Sequence, residues 1–360
     1  MENILQVLNY AANYRGNFMD SLKELDQQLH EKGKYCVYFF MVSESVGMEI
    51  DWISEMVSEN TPVYFIPDSK FAWLKSLREI IKKHQIGIIH THFLKAKQFA
   101  VIKVCNMGLN ADIVVHFHNH AVSSNKLTKR FVRKRMYAGC KMIGVSASVA
   151  DGLRKIYPYN RCFEVENAID FNRLEKKGEF HLVSENNGSN TKICLIFGFD
   201  YERKGVDLAL DAISQIVEDG ERILLVISLS TNEEIIKKRI ESRFGKIPTW
   251  VECVKARNDV ATLYRNADVF LSPSREEGFC YSIVEAAYCG CRVVASKIPA
   301  QQDLKVPGVY WFKTEDVEAL RESIYKAISD DAQQDVQNQL KAAYDLTNWA
   351  EKVIEVYESV

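Results

Sequence analysis

Short apolar runs alternate along the chain with longer segments in which apolar residues recur every three or four positions. The short runs are rich in β-branched and aromatic residues and predict strands, whereas the longer segments predict amphipathic helices. In the first half, the predicted strands are Ile4–Tyr10, Tyr35–Met41, Val63–Ile66, Gly87–His90, Ile113–His118 and Met142–Val145, and the first predicted helices are Phe18–Leu29 and Phe71–Lys83. Such alternation is typical of a parallel sheet built from βα units.

A polar stretch, Glu175–Thr191, interrupts this pattern and predicts a linker, because it has turn-forming residues and few apolar positions. The alternation then begins again. The further predicted elements are a strand at Ile193–Phe197, a helix at Val206–Asp219, and strands at Ile223–Ser228, Val251–Val254, Val269–Ser272 and Arg292–Ala295. We therefore expect an α/β protein with two Rossmann-like domains, 1–174 and 192–344, that face each other across a deep ligand-binding cleft.

The last segment, Ala332–Val360, is helical in pattern. Trp349, Val353, Val356 and Tyr357 are spaced along one side of it. This spacing is typical of an amphipathic helix.

Composition narrows the function classes. The 360 residues carry a formal net charge of −2, which gives no general attraction to nucleic acid. The nine cysteines include no C-x-x-C pair, so free buried thiols in a reducing compartment are expected. The first residues do not resemble a secretory signal, and no apolar run approaches the roughly 20 residues that span a bilayer. We expect a cytoplasmic protein.

The window Ala267–Ser296 is the most informative part of the sequence. It reads as a buried strand, a turn-rich loop with Glu277 and Gly278, a helix over Phe279–Cys289, and a further strand. A helix N-terminus attracts phosphate because its backbone N–H groups are unpaired. Glu277 stands at the mouth of this site, and Glu285 on the helix is suited to accept hydrogen bonds from a ribose diol. The alternative is two solvated surface carboxylates.

The surrounding motifs resemble the retaining GT-B glycosyltransferases of family 4. They are Pro273-Ser274, Glu277-Gly278-Phe279, Glu285-Ala286-Ala287 and the Gly-x-x-Val-Val-Ala-Ser segment that begins at Gly290. The resemblance implies that Glu285 holds the nucleotide ribose and that Glu277 lies at the donor sugar. It also implies that Gly278, Phe279 and Cys280 contact the donor.

The segment after the first strand of the second half carries a further part of the resemblance. The family pattern has Gly-Arg-Leu and then Lys-Gly, and Gly198, Lys204 and Gly205 match it. The resemblance implies that Lys204 binds the donor diphosphate and neutralises the leaving group. Phe199 stands where the family has arginine, and Arg203 is a candidate for the missing guanidinium. Its alternative role is a solvated charge.

The turn after the first strand contains Gly16 and Asn17, where the family has two glycines. Gly16 matches the first glycine. Asn17 replaces the second, and asparagine tolerates the left-handed backbone conformation better than most residues. We expect backbone N–H groups here to face the donor phosphates; a plain strand-to-helix turn is the alternative.

Histidines cluster at His90, His92, His116, His118 and His120. The segment Val114–Asn119 resembles the family strand whose terminal histidine meets the donor sugar, which assigns that role to His118, with His116 second. Alternate histidines on a strand share one face, which can indicate a metal site. No acidic or thiol ligand accompanies them, so neither a metal nor any other cofactor is expected.

Residues 113–150 contain no Asp or Glu, and within them Asn125–Lys141 carries seven basic residues. Leu127, Phe131, Val132 and Met136 form an apolar stripe between the charges. A basic amphipathic helix suits an anionic membrane surface. The alternative is a helix docked by its stripe on its own sheet; no stacking platform for nucleic acid accompanies the charge.

The sequence therefore predicts a retaining, metal-independent glycosyltransferase that uses a nucleotide sugar, a UDP-sugar by preference. The expected acceptor is a cell-envelope glycan or a lipid-linked precursor at the inner membrane face. The resemblance also implies that the final helix crosses back onto the first domain. The departures at Phe199 and Asn17 leave one alternative from another class, a non-catalytic GT-B subunit that stabilises a partner transferase.

Overall fold

The computed structural model describes residues 2–12, 15–59, 61–67, 70–120, 127–175, 178, 190–229, 233–330 and 336–359. They form two compact units, one of Met1–Ile169 with Tyr344–Val360 and one of Asp170–Ala343. Each unit holds its own parallel sheet with helices, so the predicted fold of two parallel-sheet α/β domains is confirmed. Most of the linker predicted over 175–191 lies outside the described residues.

The first unit is built on a seven-stranded sheet. Its strands are β1 (Asn3–Leu8), β2 (Cys36–Phe40), β3 (Val63–Phe65), β4 (Ile86–His92), β5 (Asp112–Phe117), β6 (Lys141–Gly144) and β7 (Arg161–Glu164). The strand order is β3-β2-β1-β4-β5-β6-β7, and all the pairs are parallel. The central strands are buried almost throughout, as is usual for a parallel sheet covered on both faces.

The connections of the first unit are helical. They are α1 (Gly16–Glu31), α2 (Glu44–Met48), α3 (Asp51–Ser58), α4 (Lys70–Lys83), α5 (Ala96–Asn106), α6 (Leu127–Tyr137) and α7 (Ala147–Ile156). In α1, Phe18, Leu22, Leu25 and Leu29 recur at helical spacing and are all buried. This apolar face explains why the helix packs on the sheet.

The second unit repeats the plan with six strands. They are β8 (Lys192–Phe197), β9 (Ile223–Leu229), β10 (Val251–Lys255), β11 (Val269–Ser272), β12 (Arg292–Ser296) and β13 (Tyr310–Phe312), in the order β10-β9-β8-β11-β12-β13. Its helices are α8 (Asn172–Glu175), α9 (Val206–Glu218), α10 (Glu233–Phe244), α11 (Val260–Arg265), α12 (Tyr281–Tyr288), α13 (Pro299–Gln302), α14 (Val317–Ser329) and α15 (Gln337–Ala343).

The chain ends in a helix of the first unit, α16 (Leu346–Glu358). It packs on α1 and buries Trp349, Val353 and Tyr357 in the core of that unit. The predicted return of the final helix to the first domain is therefore confirmed. The described part of the segment predicted to be helical over 332–360 forms two helices, α15 and α16. Asp345 accepts a hydrogen bond from the Asn348 N–H and so caps the start of α16.

Candidate active site

Two loops of the second unit meet where neighbouring strands end. β8 and β11 are paired in parallel at the centre of the sheet, and from them the strand order runs in opposite directions. The loops 198–205 and 273–280 therefore begin side by side, at the kind of switch point where open α/β sheets bind ligands. Close backbone packing requires glycine: a Cβ on Gly205, whose φ is +67°, would lie 2.0 Å from the Pro273 carbonyl oxygen. A Cβ on Gly198 would meet the side chain of Ile227 at 2.6 Å.

The side chains of the two loops form a buried ionic cluster. The Lys204 ammonium lies 2.6 Å from Glu277 Oε1, and an Arg203 Nη lies 3.1 Å from Glu277 Oε2. Ser274 donates a further hydrogen bond to Glu277 Oε1. Lys204 is 9% exposed and Glu277 is 6% exposed. Two charges this deeply buried are tolerated because each has a partner of opposite sign.

Arg203 completes this cluster. The sequence alone left its role open between the missing guanidinium and a solvated charge. Its guanidinium also pairs with Asp200, at 3.0 Å. Burial opposes its charge, but the carboxylates of Glu277 and Asp200 outweigh that effect and raise the pKa of Arg203. The ring of Phe199 lies beneath both cations, with its centroid 4.7 Å from the Lys204 Nζ. Arg203 is thus not a freely solvated charge.

Arg275 ties the two loops together at their outer side. Its backbone N–H donates to the Arg203 carbonyl oxygen, and its guanidinium makes two hydrogen bonds of 2.8 Å to Asp207 in the first turn of α9. Glu315 pairs with the same guanidinium, and the hydrogen bonds to Asp207 and Glu315 raise the pKa of Arg275. A bidentate pair fixes orientation as well as distance, so Arg275 holds the loop of Glu277 in register with that of Lys204.

A fully buried glutamine holds the loop that follows β11 through hydrogen bonds. Gln301 donates to the hydroxyl of Ser272 at 2.7 Å. The Ser296 hydroxyl donates to the carbonyl oxygen of Ser274 at 2.6 Å, and Gln301 Oε1 lies 3.0 Å from the same hydroxyl. These contacts were not foreseen from the sequence, since Gln301 belongs to none of the motifs there.

The predicted helix start in this loop needs correction. α12 begins at Tyr281 and not at Phe279, so Gly278, Phe279 and Cys280 belong to the preceding loop. Phe279 and Cys280 are buried, and the Cys280 thiol lies 3.5 Å from the Ser272 hydroxyl. Burial and the Glu277 carboxylate raise the pKa of Cys280, which keeps the thiol protonated. Gly290, with φ +92°, follows the helix end as predicted.

Glu285 is also buried, at 6% exposed, but its contacts differ from those of Glu277. The Tyr264 hydroxyl donates to Glu285 Oε2 at 2.9 Å, and an Arg173 Nη lies 3.9 Å from Oε1. Burial and the Glu285 charge raise the pKa of Tyr264, so the phenol remains a donor. The interpretation of both glutamates as solvated surface charges is wrong. Sequence reasoning missed Tyr264 and Arg173, because no motif marks them.

The remaining predicted residues lie in the first unit. Gly16 has φ +64° and opens α1, and it is the residue of this turn that is left-handed among those described, 15–17. Asn17 does not replace a second left-handed glycine. It lies within α1, is 5% exposed, and accepts a hydrogen bond from Ser21 through its backbone carbonyl oxygen.

His118 follows the end of β5 and lines a cavity of about 440 Å³ in the first unit, together with Phe93, Lys95, Arg133 and Tyr137. Its ring stacks on Phe93 with centroids 3.9 Å apart. Burial and the neighbouring histidines His116 and His90 lower the pKa of His118, so the imidazole is neutral near pH 7. His118 Nε2 lies 3.2 Å from His92 Nδ1, which leaves the Nδ1 of this neutral imidazole for a hydrogen bond with a sugar hydroxyl.

Comparison with known proteins agrees with this architecture. Residues 21–173 match the family model "Glycosyltransferase Family 4", and residues 179–345 match "Glycosyl transferases group 1". Solved structures share the fold: a glycosyltransferase from Rickettsia africae superposes with a TM-score of 0.77 at 18% identity over 99% of this chain and 98% of that chain. Anabaena HepE in complex with UDP-glucose superposes with a TM-score of 0.79 at 15% identity and covers 100% of both chains. The chain therefore has the GT-B fold and resembles glycosyltransferase families in both units.

Two curated relatives illustrate the range of that homology. The phosphatidylinositol N-acetylglucosaminyltransferase gpi3 subunit of Schizosaccharomyces pombe is 21% identical over 373 residues, which span 96% of this chain and 78% of that protein. The N,N'-diacetylbacillosaminyl-diphospho-undecaprenol alpha-1,3-N-acetylgalactosaminyltransferase of Campylobacter jejuni is 30% identical over 119 residues, 31% of each chain. Among the described residues, no helix is both long and apolar enough to cross a bilayer.

Proposed function

We propose that this protein is a retaining glycosyltransferase that transfers a sugar from a UDP-sugar to a cell-envelope glycan or lipid-linked acceptor. The observation that carries the proposal is the ionic cluster of Lys204, Arg203 and Glu277 at the paired ends of β8 and β11. Lys204 and Glu277 are buried and Arg203 is partly exposed beside them, and burying such a charge pair at a ligand-binding edge is costly for stability. The cost is explained if an anionic substrate uses these groups.

In this proposal the donor diphosphate binds to Lys204 and Arg203. Lys204 spends one of its three N–H donors on Glu277, which orients the ammonium and leaves two donors for phosphate oxygens. Arg203 supplies the guanidinium that the family pattern puts at Phe199. Glu277 then lies at the donor sugar, and Glu285 accepts hydrogen bonds from the ribose hydroxyls. Between these two glutamates, the donor contacts Gly278, Phe279 and Cys280.

The reaction breaks the bond between the anomeric carbon and the diphosphate and forms one to an acceptor oxygen on the same face. Positive charge develops on the sugar ring and negative charge on the leaving diphosphate. Fixed cations stabilise the diphosphate without reorganisation, so Lys204 takes the part that a metal ion plays elsewhere. The leaving phosphate accepts the proton of the acceptor hydroxyl, and His118 hydrogen-bonds the sugar.

The relatives support the choice of substrates. HepE binds UDP-glucose, and the Campylobacter relative acts on a diphospho-undecaprenol, which is a lipid-linked acceptor. The sequence also supports it, because Lys204, Glu277 and Glu285 match the lysine and the two glutamates of the family motif.

A nucleotide-sugar panel tests the proposal. Purified protein is incubated with UDP-, GDP- and ADP-sugars, and the release of free nucleotide is measured. We expect release from UDP-sugars, with loss of that release in Lys204→Ala. Release of no nucleotide from any donor, in a protein that also fails to bind UDP, would favour the alternative of a non-catalytic subunit. NMR of the product glycoside then tests retention of the anomeric configuration.

We further propose that α6 holds the first unit against an anionic membrane surface. Phe131 and Val132 are 68% and 61% exposed, so these two residues do not dock on the sheet. The neighbouring helix α5, which contacts α6, exposes Val104, and Met107 just beyond its end is 69% exposed. Exposed apolar side chains beside Lys134 and Arg135 suit the headgroup region. Asn125 and Lys126 lie outside the described residues.

Sedimentation with phosphatidylserine vesicles at low salt tests this surface. We expect binding by the native protein and its loss in Phe131→Ser/Val132→Ser and in Lys134→Glu/Arg135→Glu, with donor hydrolysis retained. Ile235→Ser is the matched control, because Ile235 is an equally exposed apolar residue (58%) on α10 of the second unit. Native protein that stays in the supernatant would contradict the membrane proposal alone.

A further inference from the structure

Four histidines lie on one face of two central strands in the first unit. His90 and His92 alternate on β4, and His116 on β5 is directly paired with His92. His118 follows β5 on the same side. Ring centroids are 4.1 Å apart for His90 and His92, and 5.3 Å apart for each of these with His116. Three imidazoles therefore converge within the core of this unit.

The convergence leaves polar atoms without partners. His90 and His92 are fully buried and His116 is 3% exposed. Among the described residues, His90 Nε2 and both ring nitrogens of His116 have no hydrogen-bond partner. Buried nitrogens of this kind cost free energy, and native proteins rarely keep them unless water or an ion satisfies them.

We propose that His90, His92 and His116 bind one zinc ion. One nitrogen from each of the three lies within 4.8 Å of the others. A tetrahedral ion with Zn–N bonds of about 2.1 Å requires nitrogens about 3.4 Å apart, so the three side chains must draw closer together when the ion binds. Imidazole nitrogens favour zinc and its transition-metal neighbours over magnesium or calcium, which prefer oxygen ligands.

Outer contacts prepare the ligand atoms. Gln6 Oε1 lies 2.9 Å from His92 Nε2, so that nitrogen carries the proton and Nδ1 keeps its lone pair. That lone pair faces His118 Nε2 at 3.2 Å, so the ion would replace this hydrogen bond. The Tyr357 hydroxyl lies 2.7 Å from His90 Nδ1, which leaves His90 Nε2 for the ion. Gln6 is itself held by Cys36 and Tyr357. Such partners fix the tautomer and orientation of histidine ligands.

The charge state also suits metal binding. Burial lowers the pKa of His116 to about 3, and burial together with the neighbouring histidines lowers the pKa of His90 and His92. All three are neutral at pH 7, so the ion does not have to displace protons. From the sequence we expected no metal, because no acidic or thiol ligand accompanies the histidines. The sequence did not reveal the outer contacts, because they come from β1 and α16, which are distant in sequence from the histidines.

The ion's role is structural. It satisfies His90 Nε2 and one of the two unpaired His116 nitrogens and links β4 with β5, and through Tyr357 it couples the C-terminal helix to the sheet. This inference does not depend on the proposed transfer reaction.

Metal binding is tested on the full chain, purified without a polyhistidine tag and stripped with a chelator. Zinc is added against a competing colorimetric chelator, and Co²⁺ is used as an optical probe of the ligands. We expect one zinc per chain, a tetrahedral cobalt spectrum without thiolate charge transfer, and a rise in thermal midpoint on adding zinc. His116→Phe, which fills the space without a ligand atom, should lose at least a hundredfold in affinity. Gln6→Leu should lose ten- to a hundredfold.

His30→Gln is the control, because His30 has an exposed side chain in the same unit and should leave binding unchanged. If His116→Phe fails to fold, His90→Gln replaces it. The proposal is overturned if the native chain binds zinc no more tightly than His116→Phe, if the cobalt spectrum shows thiolate ligands, or if zinc leaves the thermal midpoint unmoved.

Discussion

The two units bury polar side chains in opposite ways. In the second unit, Lys204, Arg203 and Glu277 are charged, and each has a partner of opposite sign. In the first unit, His90 and His116 are neutral, and three of their nitrogens have no partner among the described residues. The comparison teaches that the ionic cluster is complete as it stands and needs a substrate only for function. The histidine cluster is incomplete without a further ligand, which is why we infer an ion there.

The largest effect is expected when the buried cation of the second unit is removed. Lys204→Ala should lower turnover about a hundredfold or more, because charge on the leaving diphosphate is no longer neutralised. Arg203 and Ser274 still contact Glu277, so we expect the variant to fold. Steady-state nucleotide release and thermal melting measure the two effects. Lys297→Ala, an exposed lysine just after β12, is the control. Near-normal turnover in Lys204→Ala would assign the neutralising charge to Arg203.

Glu285→Ala should weaken UDP binding by tenfold or more, since each lost hydrogen bond to a charged group is worth about 1.5–3 kcal/mol. The substitution also leaves the buried Tyr264 hydroxyl without its acceptor. Tyr264→Phe therefore serves as the matched variant: it removes the same internal hydrogen bond and keeps the carboxylate. Calorimetry with UDP should separate them, with Tyr264→Phe close to native. Equal affinity in Glu285→Ala and the native protein would remove the ribose role.

The sequence predicted the central part of both sheets, because runs of β-branched residues are typical of buried strands. It missed the edge strands β7 and β13, which have only four and three residues and are partly exposed. Motif spacing selected Glu277 and Lys204, but not their contact across 73 positions of sequence. The burial of Glu285 could not be predicted either, because it depends on Tyr264 and Arg173, which belong to other elements.

The histidine cluster predicts that acid destabilises the first unit. All the histidines except His181, which lies outside the described residues, belong to that unit. A histidine with a folded pKa below its unfolded value of about 6.5 stabilises the fold above that pH, and the stability is lost as the pH falls. With its pKa at about 3, His116 alone should cost about 2 kcal/mol between pH 7 and pH 5.

Metal-free protein is the proper sample for this measurement. Urea unfolding at both pH values, resolved by hydrogen exchange of peptides and corrected for intrinsic exchange rates, should show the loss in peptides of β4 and β5. His116→Phe should reduce the dependence on pH. Equal acid sensitivity in the peptides of β8 and β11 would contradict the assignment to the histidines.

The smallest expected effect is none at all. If Lys204 and Arg203 neutralise the leaving diphosphate, omitting Mg²⁺ and Mn²⁺ from the assay should leave the transfer rate unchanged, because fixed cations already occupy that position. The same ions should act differently on Lys204→Ala, where Mg²⁺ can bind the exposed diphosphate and restore part of the rate. Nucleotide release is measured for both proteins with and without added Mg²⁺. A native rate that falls when divalent ions are withheld would show that the cations of the second unit do not suffice. An ion in the histidine cluster of the first unit would instead be detected as a change in stability, since it satisfies buried nitrogens of the core.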